Sequence, residues 1–350
     1  MRTNEPITDM ADLPVQQPAA PATAAQARAR YFNSGNAFNV RLPEVPARLF
    51  MPPHEDAFGV FDCDQSDALG CGFAATTPLM LARYMRVEPG EALPFDVHAT
   101  GSVWYVISGS GELGGMAEGL AFGTGDVFLL PAAQGYRLSA GPAGALLWTV
   151  GNEPQLAFDG SQPPAASSAL IDAVHYPADE IERQFALIFS MATSDATSGR
   201  ALIFSSDRQG PARNLTPTLT LSFNTLEPQT HQRSHRHNSA AVTLVVRGEA
   251  CHSMVGGVHC PWTPWATLVT PPGAPHSHHN AGMKGARFLI VQDGGLHYHA
   301  RTMGFEFLEA VAQVSAACTG PGDQPAGLCG EGSAKATEGR SGCGPSPDPK

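Results

Sequence analysis

The 350-residue chain has no run approaching the ~18 apolar residues that a membrane span needs, and no apolar stretch near its first residue that reads as a signal peptide. A cytoplasmic protein with no membrane partner is therefore expected. Basic clusters are also missing: 21 Lys and Arg stand against 32 Asp and Glu, a formal net charge of -11. That balance argues against nucleic acid and against anionic lipid surfaces. The seven cysteines, at 63, 71, 251, 260, 318, 329 and 343, are odd in number and include no C-x-x-C pair. They are read as reduced thiols rather than a disulfide framework.

Glycine and proline, by contrast, are abundant. The 37 Gly and 30 Pro imply many turns and few long helices. Short runs rich in β-branched and aromatic residues lie between them: Ser102–Ser108, Asp126–Leu130, Ala241–Val246, Ala266–Thr270 and Arg287–Val291. These are expected to be strands, with tight turns at Gly109-Ser-Gly111, Gly123-Thr-Gly-Asp126 and Gly256-Gly257. Helices are expected only at the periphery, at Ala24–Tyr31 and Pro177–Gln184. In the second of these, Asp179 and Glu180 complement the macrodipole of the first turn.

Of the 13 histidines, eight fall between positions 231 and 279. His235 and His237 are one residue apart, so on a strand they point the same way, and His276 comes from a later strand. Three imidazoles that can close on one point outline a metal site. His278 follows His276 by two and could meet a substrate. His231, His252, His259 and His279 are read as loop, solvent-facing or supporting residues, and His297 and His299 as rim residues.

The segment from His235 to Gly248, reading H-R-H-N-S-A-A-V-T-L-V-V-R-G, and Thr270 to Asn280, reading T-P-P-G-A-P-H-S-H-H-N, together show the two spaced motifs of the cupin family. The slot of the family's usual glutamate ligand falls near Ala241, where no carboxylate is available. Three histidines without a glutamate resemble the ring-cleaving dioxygenases that act on gentisate, salicylate and hydroxynaphthoate. The resemblance covers about residues 220 to 310. It implies jelly-roll barrels, a mononuclear metal on His235, His237 and His276, and a small aromatic acid and O2 as reactants. It also implies a place for His278 beside the substrate or its oxygen adduct.

A weaker copy of the pattern lies earlier in the chain. His98 precedes Gly109 by eleven residues, as His237 precedes Gly248, and Pro131 precedes Tyr136 as Pro271 precedes His276, at offsets of 139 and 140 residues. Such a repeat predicts two stacked barrels, an all-β bicupin. The expected organisation is a disordered N-terminal segment at 1–25, a degenerate barrel at 26–155, a linker and lead-in to the second barrel at 156–200, a metal-binding barrel at 201–312 and a disordered tail at 313–350. In the first copy Asp96 stands where His235 stands in the second, Ser102 lies near the glutamate slot, and Tyr136 replaces His276. That barrel is expected to be structural and free of metal.

The metal itself is less constrained. Fe(II) is the first expectation, since three neutral imidazoles leave its double charge uncompensated for a chelating dianion and leave neighbouring positions open, while Zn, Mn, Ni or Cu also suit imidazole. Among Arg233, Arg236, Arg247 and Arg287, alternation gives Arg233 the parity of the ligands, making it the first choice to anchor a substrate carboxylate. Two further readings stay open: an oxygen-independent lyase, isomerase or C–C hydrolase, and a ligand-binding bicupin without turnover. Homo-oligomers are common among such cupins, though no segment of this chain identifies an interface.

Overall fold

The computed structural model describes residues 7–38, 40–192 and 199–309. Its strands run in order as β1 Leu49–Phe50, β2 Gly59–Asp62, β3 Leu81–Val87, β4 Ala92–Gly114, β5 Leu120–Gly123, β6 Val127–Gly151 and β7 Val174–Tyr176. They continue as β8 Ala201–Phe204, β9 Thr220–Leu226, β10 Thr230–His237, β11 Ala241–Arg247, β12 Cys251–Val255 and β13 Val258–Pro261. The last are β14 Thr267–Thr270, β15 His276–Asn280, β16 Ala286–Gln292 and β17 Phe305–Phe307. All the pairings are antiparallel, in the orders β2-β3-β6-β4-β5, β1-β14-β11-β16-β9-β8 and β13-β12-β15-β10-β17, with β7 on the side of β6.

The two halves solve the same barrel differently. In the first half, β4 and β6 are single bent strands of 23 and 25 residues, and Ser102 pairs both with Leu130 and with Gly151 as the sheet folds over itself. In the second half, the equivalent positions are broken into β10, β11 and β12 opposite β14, β15 and β16. Gly109-Ser-Gly111 is accordingly not a turn between strands but a kink within β4. Gly109 has φ +86, and a Cβ there would lie 2.0 Å from the Gly144 carbonyl oxygen. Gly256 and Gly257, with φ 56 and 84, do make the hairpin between β12 and β13, as their positive φ allows.

Alternation decides what each strand of the second half faces. Val242 and Leu244, Leu289 and Val291, and Leu221 and Phe223 point to a core shared with Tyr84, Tyr105, Ile107 and Trp148 of the first half. Their neighbours Ala241, Thr243, Ile290, Gln292, Ser222 and Asn224 point the other way, into a cavity within the barrel. The strand β11 is therefore buried on both faces. Each large side chain withdrawn from water contributes about 1.5–3 kcal/mol, so the shared cluster holds the halves together.

Several expectations change here. The helix expected at Ala24–Tyr31 spans only Ala24–Ala27, whereas that expected at Pro177–Gln184 runs over Ala178–Phe189. The extension follows from Ile181 and Phe185, which bury one above the other at i,i+4. The stretch read as a linker also holds a helix at Glu153–Asp159 and the strand β7. Residues 7–25, expected to be disordered, contain a 3-10 turn at Met10–Asp12 capped by Asp9, and a bridge from Gln16 to Tyr31. Asn36 and Asn33 donate across to the Leu13 and Met10 carbonyls. Cys63, Cys71, Cys251 and Cys260 are free thiols. The tail at 313–350, with Cys318, Cys329 and Cys343, lies outside the described residues. No helix among the described residues is long and apolar enough to cross a membrane.

Candidate metal centre

His235 and His237 project from β10 and His276 from the start of β15, the strand hydrogen-bonded beside it. Their ligand-capable nitrogens all lie within 4.8 Å of one another, and all three residues are buried. Among the described residues no other group of three or more His, Cys, Asp or Glu meets that condition. Each ring is oriented by its own backbone: Nδ1 of His235 lies 2.7 Å from the Arg233 carbonyl oxygen, that of His237 2.8 Å from Ser239 O, and that of His276 2.9 Å from Ala274 O. A carbonyl can only accept, so each Nδ1 carries the proton and each Nε2 keeps its lone pair. This is the arrangement a divalent ion requires of imidazole ligands.

Electrostatics keeps these rings neutral. Burial lowers the pKa of His235 and His237, and for His276 burial and the neighbouring His235 bring it to about 3. Unfolded imidazoles take up protons near 6.5, whereas the folded ones do so only at lower pH. The stability these groups contribute is therefore complete above about 6.5 and is lost as pH falls towards 3. Asp293 works in the opposite sense. Burial pushes its carboxyl up to about 7, so its contribution fades as pH rises through that value. We expect the urea midpoint of the metal-free protein to fall more steeply between pH ~6.5 and ~4 than that of its His276→Ala variant. Equal slopes would contradict the burial of a neutral His276.

His278 has the reverse tautomer. Its Nδ1 is 2.7 Å from Ser253 Oγ, and that oxygen also accepts from Trp262 Nε1 at 2.8 Å. Ser253 is fully buried, so its hydroxyl proton needs an acceptor, and His278 Nδ1 provides it. The proton of His278 then sits on Nε2. Burial holds its pKa well below the usual range, so the ring is a neutral hydrogen-bond donor lining the cavity.

The cavity over the histidines has a volume of about 310 Å³. Its polar wall is Gln232, Ser222, Asn224, Thr243, Thr270 and Gln292, and its apolar wall includes Ile203, Ile290, Met303 and Phe305. Among the described residues, its only ionisable lining side chain besides the histidines is Tyr298. Ala241, at the position where the family's glutamate is missing, faces this space.

Arg233 is not where strand parity predicted. Between Gln232 and His235 the register of β10 against β15 shifts: Gln232 pairs with His278 but His235 with His276. This bulge turns Gln232 into the cavity and sets the Arg233 guanidinium over the Phe307 ring, 3.8 Å from its centroid. Arg236 pairs with Glu306 at the surface, whereas Arg287, with its side chain 13% exposed, pairs with Glu182 over the Phe185 ring. Trp262 packs on Phe288 and Trp265 on Tyr105, and neither lines the cavity. His297 and His299 belong to the helix Gly294–Ala300, where His297 Nδ1 accepts from Asn238.

Sequence reasoning missed Gln232, Gln292 and Ser253. Gln292 Nε2 lies 3.3 Å from His237 Nε2, and Ser239 Oγ donates to its Oε1. A polar residue in step with Ile290 and out of step with core residues Leu289 and Val291 was the available signal. Asp293 accepts from Ala240 N at 2.9 Å, fixing the turn whose Ser239 carbonyl orients His237.

In the first half, the equivalent positions hold no such constellation. Asp96 accepts from Gly135 N, His98 lies 3.8 Å from Asp96 and is largely exposed, and Tyr136 donates to the Pro131 carbonyl while stacking on Phe95.

The Cupin domain family matches residues 222–292. A gentisate 1,2-dioxygenase of Ralstonia sp is 34% identical over 79 residues, which is 23% of this chain. The chain spans only 22% of the length of that relative. Among solved structures, salicylate 1,2-dioxygenase from Pseudoaminobacter salicylatoxidans in its adducts with gentisate superposes with a TM-score of 0.64 at 13% identity, covering 78% of this chain and 88% of that one. A further structure of salicylate 1,2-dioxygenase, from Pseudaminobacter salicylatoxidans, gives 0.59 at 14% identity, covering 69% and 78%. Residues 222–292 thus match the Cupin domain family, and the chain has an all-β fold shared with the salicylate 1,2-dioxygenase structures.

Proposed function

We propose that His235, His237 and His276 hold one divalent metal, Fe(II) by preference, and that the chain is a dioxygenase acting with O2 on a hydroxylated aromatic acid or a related ring. The observation that carries this reading is the convergence of three buried histidines whose Nδ1 atoms lie on backbone carbonyl oxygens, which leaves each Nε2 to a metal, while a fourth imidazole, His278, lines the same cavity with its Nδ1 on Ser253. When bound, the metal would supply an uncompensated double charge for a chelating carboxylate–phenolate pair, and an open coordination face for dioxygen.

The protein's own groups do the positioning. Among the described residues none brings a guanidinium or ammonium to the cavity wall, so a substrate carboxylate would meet the amides of Gln232, Asn224 and Gln292 and the charge of a metal held by the three histidines. Ile203, Ile290, Met303 and Phe305 take the ring and keep water from it. His278 Nε2–H donates to an oxygen of the bound reactants. Oxygen-independent lyase or hydrolase chemistry is less well served, since among the described residues no carboxylate or lysine lines the cavity to move a proton, and the His278 lone pair is engaged by Ser253.

Protein loaded anaerobically with Fe(II) is expected to consume oxygen with one member of a panel of gentisate, salicylate, hydroxynaphthoate and aminophenols, and His237→Ala is expected to abolish that uptake. Retained iron with no uptake across the panel would favour oxygen-independent chemistry or a ligand-binding role. Ser253→Ala, which releases the His278 tautomer, should lower turnover by about tenfold at unchanged metal content. Unchanged turnover would remove His278 from the account.

A further inference from the structure

The outer face of the sheet that carries His235, His237 and His276 holds a second group of imidazoles, which the proposed chemistry does not use. In β12, Cys251, Ser253 and Val255 are buried, so by alternation His252 and Met254 stand on the outer face. In β13, Cys260 is buried and pairs with Ser253, which puts the exposed His259 on that same outer face. The register of the β12–β13 hairpin sets Met254 directly opposite His259, and His252 is the next residue of β12 on that face. The rings of His252 and His259 lie 4.5 Å apart, centroid to centroid. Between the rings of the three-histidine centre the separations are 4.2, 4.7 and 6.0 Å, so the outer pair is spaced as the inner ones are.

The row continues across the sheet, with His279 stacked on His252 at 4.6 Å and His231 on His279 at 5.4 Å. Those two rings are engaged: His279 Nε2 meets Ser277 Oγ at 2.8 Å, and His231 Nε2 meets Glu309 at 2.8 Å. Among the described residues no hydrogen bond occupies a nitrogen of His252 or His259. Burial and the neighbouring His259 lower the pKa of His252, so its ring is neutral and keeps a lone pair at neutral pH. Two imidazoles beside a thioether make a soft donor set, which suits copper and not the oxygen-seeking Mg or Ca.

We propose that His252, His259 and Met254 bind one Cu(I) ion on the outer face of the β12–β13 hairpin. Each ring gives one nitrogen, and the three rotatable bonds of Met254 let its sulfur reach an ion between them. Cys251 and Cys260 take no part, because they are turned to the other face and are 5% and 7% exposed. The site is separate from the three-histidine centre: Val255, which is buried, pairs with His276, whereas His252 and Met254 stand on the opposite face of β12.

Competition titration of the full chain with Cu(I) against bicinchoninate, under argon and with reductant, tests this. Accessible thiols are first blocked with N-ethylmaleimide, and the His237→Ala background removes the three-histidine centre as a competitor. One tightly held equivalent of Cu(I) is expected, with sulfur as well as nitrogen in its X-ray absorption spectrum. His252→Asn and His259→Asn should each weaken it by more than about tenfold, and Met254→Leu by about tenfold with loss of the sulfur signal. His231→Asn should change nothing, since that ring lies at the far end of the row. Failure to hold Cu(I), undiminished binding in a His252→Asn, His259→Asn or Met254→Leu variant of native melting temperature, or an equal loss from His231→Asn would each overturn the proposal.

Discussion

Replacing His276 by alanine is expected to abolish metal retention and to lower oxygen consumption by more than about a hundredfold, the upper end of what changes behind a ligand cost. The reasoning rests on geometry that three residues share. Each imidazole contributes one Nε2, and two remaining nitrogens cannot define a facial site of three. The fold should survive, because His276 faces the cavity from β15, while the cluster that joins the halves lies on the far face of β9, β11 and β16 in the other sheet. Metal analysis after gel filtration, with circular dichroism on the same sample, checks both points. His98→Ala should change neither metal nor fold, since that side chain is 64% exposed and its neighbour Asp96 is spent on Gly135 N. Equal loss from both variants would overturn the division of labour between the barrels.

Thr267→Val is expected to destabilise the protein by about 1–3 kcal/mol without touching the metal site. Thr267 Oγ1 accepts from Trp148 Nε1 at 2.9 Å and meets Tyr84 Oη at 2.7 Å, while Tyr84 donates onward to the Trp265 carbonyl. Trp148 and Tyr84 come from the first half of the chain, Trp265 and Thr267 from the second. The chain of donors is therefore a polar rivet through the shared apolar core. Valine fills the same volume but accepts nothing, which leaves the fully buried Trp148 N–H without a partner. A chemical-denaturation midpoint that falls at unchanged slope would show the effect. A variant as stable as the parent would mean that the halves rely on apolar contact alone.

How far the sequence could be read follows from which features are local. His235, His237 and His276 were legible because alternation within a strand and a fixed spacing between two strands require no knowledge of the rest of the chain. The two-barrel fold was legible for a similar reason, as one offset relates His98 to His237 and Pro131 to Pro271. Arg233 lies over Phe307 while Gln232 lines the cavity, because parity holds only while a strand is regular and the register shifts between Gln232 and His235. Gly109 was misplaced because a close approach to Gly144, not a turn, demands glycine there. The Ser253–His278–Trp262 network brings together residues from β12, β15 and the segment between β13 and β14, and only the folded register reveals it.

The most direct test of the proposed oxygenase chemistry is isotope incorporation: Fe(II)-loaded protein under 18O2 with whichever aromatic compound of the panel it consumes, the product read by mass spectrometry. Both label atoms should appear in a ring-opened product, and none should appear with His276→Ala. Product oxygen drawn from water, or turnover that proceeds without dioxygen, would contradict the assignment and identify the three-histidine centre with a different chemistry.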